Sequence, residues 1–304
     1  MSLVELIRSI IENADIDAGV AIWHIESDRK LDVNGDAPFP MASTFKIPIL
    51  ATACKQLAAG AISLDTRVPL AVADKSMGSG ILPYFESSLQ PTIRDLLTLM
   101  IIISDNTATD IMVDYLGGAA VVEGYMHELG LKDIFFKLNC KELLRYAFPP
   151  EVADSPLEDL VKWTTENDIL RDSLPFSKGP ENNVGTAKAM NELLHLLYGD
   201  LFPEDVRAVA FDILHKQQFT HRIARFLPLG TKVASKTGTI GGIRNDCGII
   251  SISEENHVIA SLFVEWDEAP YWNQPVAHHQ RVFEVETAMG EIGRAVYDEF
   301  ASLD

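Results

Sequence analysis

Strand-like segments stand only near the two ends of this 304-residue chain, and what lies between them reads as helix and loop. Near the start, Ala18 to Ile25 (AGVAIWHI) alternates as a strand does. Ser27 to Lys30 make a turn, and Leu31-Asp32-Val33 begins the return. Near the end, Lys232 to Ser235, Asp246 to Ser253 and His257 to Trp266 read as strands joined by short turns. One continuous antiparallel sheet forms from these pieces only if the two ends of the chain meet. The pattern therefore predicts an α/β chain of the α+β kind, with a helical insertion between the first and last parts of its sheet.

The helices follow from apolar spacing and breakers. Met1 to Asn13 is a short amphipathic helix with Leu3, Leu6, Ile7, Ile10 and Ile11 on its apolar side. Ile47 to Ala61 is apolar nearly all round, which predicts a central, buried helix. Thr92 to Ile103, Thr107 to Leu116 and Ala119 to Leu129 read as three more, with Gly117-Gly118 ending one of them. Thr186 to Leu197, Pro203 to Lys216 and a long closing helix, Gln280 to Phe300, complete the set. Residues 65–90 are loop-rich. Residues 131–185 are the least readable stretch, with one helix expected at Leu157 to Arg171. There are no internal repeats.

A net charge of −19 makes nucleic acid and anionic membrane surfaces poor partners. An anionic substrate then needs a local positive pocket inside a negative envelope. Cys54, Cys140 and Cys247 have no metal-ligand spacing and read as buried or half-buried thiols, so no metal or cofactor is expected. No run is long enough to cross a bilayer as a helix. The first residues do not read as a secretory signal, and the compartment stays open between cytoplasmic and exported.

Three short words stand in order within this frame: Ser43-Thr44-Phe45-Lys46, Ser104-Asp105-Asn106 and Lys236-Thr237-Gly238. They are S-x-x-K, S-D-N and K-T-G. S-x-x-K alone is weak, since Ser27 to Lys30 is a second copy in a polar turn; the other two words occur once each. Spacings of 61 residues from Ser43 to Ser104 and 132 from there to Lys236 suit a helical insertion. Each word supplies a tool of acyl transfer. Lys46, three residues after Ser43 and flanked by Phe45, Ile47, Pro48, Ile49 and Leu50, is set to be buried, and burial lowers a lysine pKa. An amine so tuned can take the proton of a serine hydroxyl, which is a poor nucleophile without such help. Pro48 predicts a local irregularity in the helix. Ser, Asp and Asn are all helix N-caps, so S-D-N also starts a helix. K-T-G ends the strand that precedes it and offers a cation, a hydroxyl and close backbone approach.

In these three words and their order the chain resembles the serine β-lactamases and penicillin-binding proteins, and class A β-lactamases most closely. The resemblance runs from the first helix to the last and is weakest over residues 131–185. It implies a five-stranded antiparallel sheet with terminal helices on one face. The sheet part would take residues 1–40 and 217–304, the all-helical part residues 41–216, and the site the groove between them. It implies Ser43 as nucleophile, Lys46 as its base and Ser104 as the proton relay to the leaving nitrogen, with Asp105 structural. Asn106 would hold the substrate amide, and Lys236, Thr237 and Gly238 would seat its carboxylate. The oxyanion would lie between the backbone N–H groups of Ser43 and Thr239. Arg222, six residues before Pro228, resembles the carboxylate-supporting arginine of one class A subgroup, which also carries an Asn-Asp pair after K-T-G, here Asn245-Asp246. Arg244 and Arg225 are rivals for that role.

A class A enzyme also needs a glutamate after S-D-N to activate the water that clears the acyl-enzyme. Glu142 falls about where that residue should be, either as this base or as a surface carboxylate on a helix. Tyr146 stands in place of a water-positioning asparagine, and the stretch that follows is longer than usual. The reading is a monomeric serine hydrolase, β-lactamase-like, that opens the β-lactam amide. The alternatives are a D-Ala-D-Ala peptidase or esterase of the same fold, or a slowly deacylating β-lactam binder.

Overall fold

The computed structural model describes residues 1–302. Ten helices and seven strands are found among them: α1 Leu3–Asn13, α2 Lys46–Ala58, α3 Ile93–Ile102, α4 Asn106–Leu116, α5 Ala119–Glu128, α6 Cys140–Arg145, α7 Leu157–Glu166, α8 Ala187–Tyr198, α9 Glu204–Leu214 and α10 Pro275–Ala301. The strands are β1 Asp17–His24, β2 Arg29–Val33, β3 Pro38–Pro40, β4 Val184–Thr186, β5 Lys232–Ile240, β6 Ile243–Ser253 and β7 Asn256–Glu265. Five of them form one antiparallel sheet in the order β2-β1-β7-β6-β5. The ends of the chain meet where β1 pairs with β7, with Val20 opposite Leu262.

Both faces of this sheet are covered, and the strand period of two decides which side chain goes where. Along β7, Val258, Ala260, Leu262 and Val264 face a core shared with α1 and α10. Ile259 and Phe263 face the opposite core, built with the central helices. The α1 helix opens on a capping box, in which the Ser2 hydroxyl accepts from the Glu5 N–H at 3.3 Å and Glu5 accepts from the Ser2 N–H at 2.8 Å. Its Leu3, Ile7 and Ile11 form the buried stripe. In α10, Gly293 lets a loop lie on the helix: a Cβ there would stand 2.1 Å from the Ile223 carbonyl oxygen.

The structure departs from expectation where side-chain pattern carries least information. K-T-G does not end its strand, because β5 continues through Lys236, Thr237 and Gly238 to Ile240, each paired with a residue of β6. The irregularity expected at Pro48 lies upstream, where Ala42–Phe45 is a 3-10 turn and α2 starts at Lys46. Pro48 is thus in the first turn of α2, where its missing N–H breaks no helical bond. The expected helix from Leu157 stops at Glu166, five residues before Arg171. Arg171 instead clasps Asp168, with Nε and Nη2 at 2.9 and 2.8 Å from its oxygens, and also binds Glu268 at the far end of the sheet.

The least readable stretch closes on the site through Asn183. Its Oδ1 accepts from the N–H groups of Lys137 and Leu138, its Nδ2 donates to the Leu138 carbonyl, and its own carbonyl accepts from the Met41 N–H. One buried amide therefore ties a distant loop to the turn that carries Ser43.

Candidate active site

Ser43 sits partly buried in the 3-10 turn, and Lys46 follows where that turn becomes α2. Residues i and i+3 of a 3-10 turn eclipse one another, so the spacing puts both side chains on one side. Ala42 has φ +42°, in the left-handed region that a non-glycine residue occupies at a cost. Met41 O anchors the turn: it accepts from the Thr44 N–H at 3.1 Å, the Thr44 hydroxyl at 2.7 Å and the Asn245 side chain at 3.0 Å.

Lys46 is fully buried and joins the first motif to the second. Its Nζ donates to the Ser104 carbonyl at 2.8 Å, the Ser104 Oγ at 3.0 Å and the Asn106 Oδ1 at 2.9 Å. Burial lowers its pKa from that of an ordinary lysine, opposed by the nearby Cys140, Asp110 and Asp105. The Ser104 carbonyl can reach Lys46 because Ser104 adopts φ +58°, at the break between α3 and α4.

Asp105 does structural work. It caps α4 by accepting from the Ala108 N–H at 2.9 Å, and its other oxygen takes the N–H groups of Ile81 and Leu82 at 2.6 and 2.8 Å. Gly80 makes this approach possible, since a Cβ there would fall 2.3 Å from the carboxylate. The Asn106 amide is held on both sides, with Oδ1 on Lys46 and Nδ2 donating to Met77 O at 2.8 Å.

The third motif approaches from β5, the edge strand, whose outer backbone groups have no neighbouring strand. A Cβ on Gly238 would stand 2.7 Å from Met41 O and 3.2 Å from the Ser43 N, so only glycine lets strand and turn meet. Lys236 is fully buried, and its ammonium donates to the Thr237 carbonyl at 2.7 Å. Burial, then the positive charges of Lys46 and Arg222, push its pKa well below that of an ordinary lysine.

Of the three candidate arginines, Arg222 reaches the motif. Its Nη1 donates to the Gly238 and Asn245 carbonyls at 2.8 and 2.7 Å, and its Nη2 to the Thr239 Oγ1 at 2.5 Å. Asn245 in turn donates to the Pro40 and Met41 carbonyls at 2.9 and 3.0 Å. Arg244 is buried on the β5–β6 turn, bonded to the Gly241 and Ile243 carbonyls at 2.5 and 2.9 Å. Arg225 stacks on Phe226 and Phe283 instead. The buried side chains Lys46, Lys236, Arg222 and Arg244 lie among the buried carboxylates Asp105, Asp110, Asp246, Glu268 and Glu286.

Glu142 is not brought to this cluster. It is exposed and occupies the third position of α6, where it closes a capping box: its Oε2 accepts from the Asn139 N–H at 3.0 Å, and its own N–H donates to Asn139 Oδ1 at 2.9 Å. This is the placement of an exposed carboxylate on a helix. Asn139-x-x-Glu142 is itself a helix-start signature, legible beforehand. Tyr146 is also exposed. The residue of this segment that acts on Lys46 electrostatically is Cys140, buried at the start of α6. Asp110, one turn beyond Asn106 on α4, accepts from the Cys140 and Lys141 N–H groups at 2.6 and 2.9 Å. The four-residue step from Asn106 to Asp110 was a usable signal for this contact.

The comparisons with known proteins bear on the same arrangement. The family model described as "Beta-lactamase enzyme family" matches residues 2–300. Beta-lactamase VEB-1 of Pseudomonas aeruginosa is 25% identical over 271 residues, 85% of this chain and 80% of that protein. A solved beta-lactamase structure from Sphaerobacter thermophilus superposes with a TM-score of 0.76 at 26% identity, covering 97% of each chain. A variant of the last common ancestor of Gram-negative class A beta-lactamases gives a TM-score of 0.76 at 20% identity over 100% of both chains, which is a likeness of fold. With that family matched from the first helix to the last, this chain belongs to the beta-lactamase enzyme family.

Proposed function

We propose that the protein is a class A-type serine β-lactamase that opens the β-lactam amide through an ester on Ser43. The observation that carries this reading is the burial of Lys46 with all three of its donor bonds directed at Ser104 and Asn106. In its neutral form, which burial favours, Lys46 keeps two N–H donors and frees a lone pair, and this lone pair accepts the Ser43 proton as Oγ attacks the lactam carbonyl. Charge developing on the carbonyl oxygen is met by the backbone N–H groups of Ser43 and Thr239, each worth about 3 kcal/mol of barrier. The lactam C–N bond then breaks. Its nitrogen takes a proton from the Ser104 hydroxyl, which Lys46 replenishes across 3.0 Å.

Binding uses the remaining groups. The second N–H of the Asn106 amide faces the substrate amide. The Thr237 hydroxyl and the Lys236 charge seat the substrate carboxylate, and Arg222 supports them through Thr239. An incoming carboxylate supplies the opposite charge that buried Lys236 lacks, raising its pKa again. A D-Ala-D-Ala peptidase or esterase would share every acylation step. The position of Glu142 favours keeping that second reading in view.

A chromogenic cephalosporin tests the proposal. The wild-type chain should open the ring, and both Ser43→Ala and Lys46→Ala should lower acylation by at least about 10³-fold. Ring opening that survives Ser43→Ala would refute the assignment.

A further inference from the structure

We infer that Gln217 is a positioning residue: its side-chain amide fixes the separation between the end of α3, which leads into Ser104-Asp105-Asn106, and the β5 strand that carries Lys236-Thr237-Gly238. The inference rests on the reading of Ser43 as the acylated residue. In that reaction Ser43 Oγ bonds to the lactam carbon, the lactam C–N bond breaks, and the nitrogen takes a proton from Ser104. The substrate carboxylate meanwhile sits at Thr237. One molecule must therefore touch both motifs at once, and their spacing decides whether Ser104 reaches the nitrogen.

Gln217 is buried in the loop that follows α9. Its Nε2 donates to the Ile101 carbonyl at 3.0 Å and to the Ser235 carbonyl at 3.3 Å, and its Oε1 accepts from the Phe219 N–H at 3.0 Å. The two carbonyls are groups that regular structure leaves over. Ile101 is in the last turn of α3, whose final carbonyls have no helical partner. Ser235 lies on β5, an edge strand. Both protons and the oxygen of the amide are engaged, so the side chain has one arrangement.

The bonds around this amide make its loop a fastener. The Gln218 N–H donates to the Ile102 carbonyl at 3.1 Å, so the loop takes a second carbonyl of α3. Further along the same loop, Arg222 holds the Gly238 carbonyl at 2.8 Å. Gln217 and Arg222 thus grip β5 on either side of Lys236 and Thr237. Towards the helices, the Asp105 N–H donates to the Leu99 carbonyl at 3.0 Å, which folds the second motif back onto the last turn of α3. Ser104 is therefore placed by the same turn that carries the Ile101 carbonyl, and Lys236 by its neighbour Ser235.

Acylation by penicillin G, with the rate read from absorbance and the share of reactive chains from intact mass, tests this on the full chain. Gln217→Met keeps the length of the side chain and removes all three bonds. The limiting rate per reactive chain should fall by about 10- to 10²-fold, because Ser104 no longer meets the nitrogen. The half-saturating penicillin concentration, set by the carboxylate at Thr237 and Lys236, should change by less than about threefold. Gln217→Glu keeps an acceptor for the Phe219 N–H but loses the NH2 group; it should show the same loss, and it decides if Gln217→Met does not fold. Gln218→Met is the control and should react as the wild type does, since the Gln218 side chain bonds within its own loop, to the Lys216 carbonyl at 2.7 Å. Fewer reactive chains at an unchanged rate would overturn the inference, because Gln217 would then only stabilise the fold. An effect confined to the half-saturating concentration, or an equal loss in Gln218→Met, would overturn it too. No adduct on the wild-type chain would refute the reading of Ser43 itself, on which the inference rests.

Discussion

Lys46 and Lys236 are both fully buried, and desolvation is the largest cause of the lowered pKa of each. Lys46 has the lowered pKa of a base that must be neutral to act, so acylation should rise with pH. The midpoint of that rise should lie below the 10.5 of an ordinary lysine, and single-turnover acylation rates across pH measure it. Lys236→Met should stabilise the fold by about 1 kcal/mol at pH 7, since it replaces a poorly compensated buried charge with an apolar chain. The sign is definite: a depressed pKa penalises folding below the folded-state value. The gain seen in thermal unfolding should therefore shrink as pH rises through that value towards 10.5. Ser43, Lys46 and the third motif were legible in sequence because catalysis needs those residue types at those spacings. The place of Cys140 was not, since a buried thiol and a surface glutamate two residues apart look alike without the helix phase that separates them.

Elements decide that phase. The α6 helix is six residues long, too short for apolar periodicity to reveal, yet its Asn139–Glu142 capping box points Glu142 to solvent and Cys140 inward. Glu142→Gln should therefore cost no more than about 1 kcal/mol of stability and leave cephalosporin turnover unchanged. A large loss of turnover would restore Glu142 as the deacylating base. The long helices and the five strands were readable because their periods of 3.6 and 2 run over many residues. The extension of β5 through K-T-G was not, since lysine, threonine and glycine carry no strand pattern, and pairing with Cys247, Asp246 and Asn245 determines it. At the far face, Gly293→Ala should destabilise by about 1–3 kcal/mol, because its methyl would enter the Ile223 carbonyl. Denaturant unfolding checks this, and acylation of the folded fraction should be unaffected.

The whole molecule brings distant residues together by sheet closure. Pairing of β1 with β7 joins the chain's ends, and β5, left as the edge, meets the turn that carries Ser43. That the two ends meet in one sheet was open to sequence reasoning, while the strand order was not. The clasp of Asn183 across residues 137–138 and Met41 was not, because it depends on one amide rather than on a pattern. A net charge of −19 has a kinetic consequence, because it repels an anionic substrate. Raising salt from about 10 mM to about 150 mM should increase kcat/KM for an anionic penicillin, while a neutral ester should respond little. The central claim is that Ser43, Thr239 and the K-T-G strand converge on one acyl group, and a crystal structure of the chain reacted with penicillin G tests it most directly. It should show an ester on Ser43 Oγ, the carbonyl oxygen between the N–H groups of Ser43 and Thr239, and the substrate carboxylate at Thr237. An adduct on another residue, or a carbonyl oxygen turned away from both N–H groups, would contradict it.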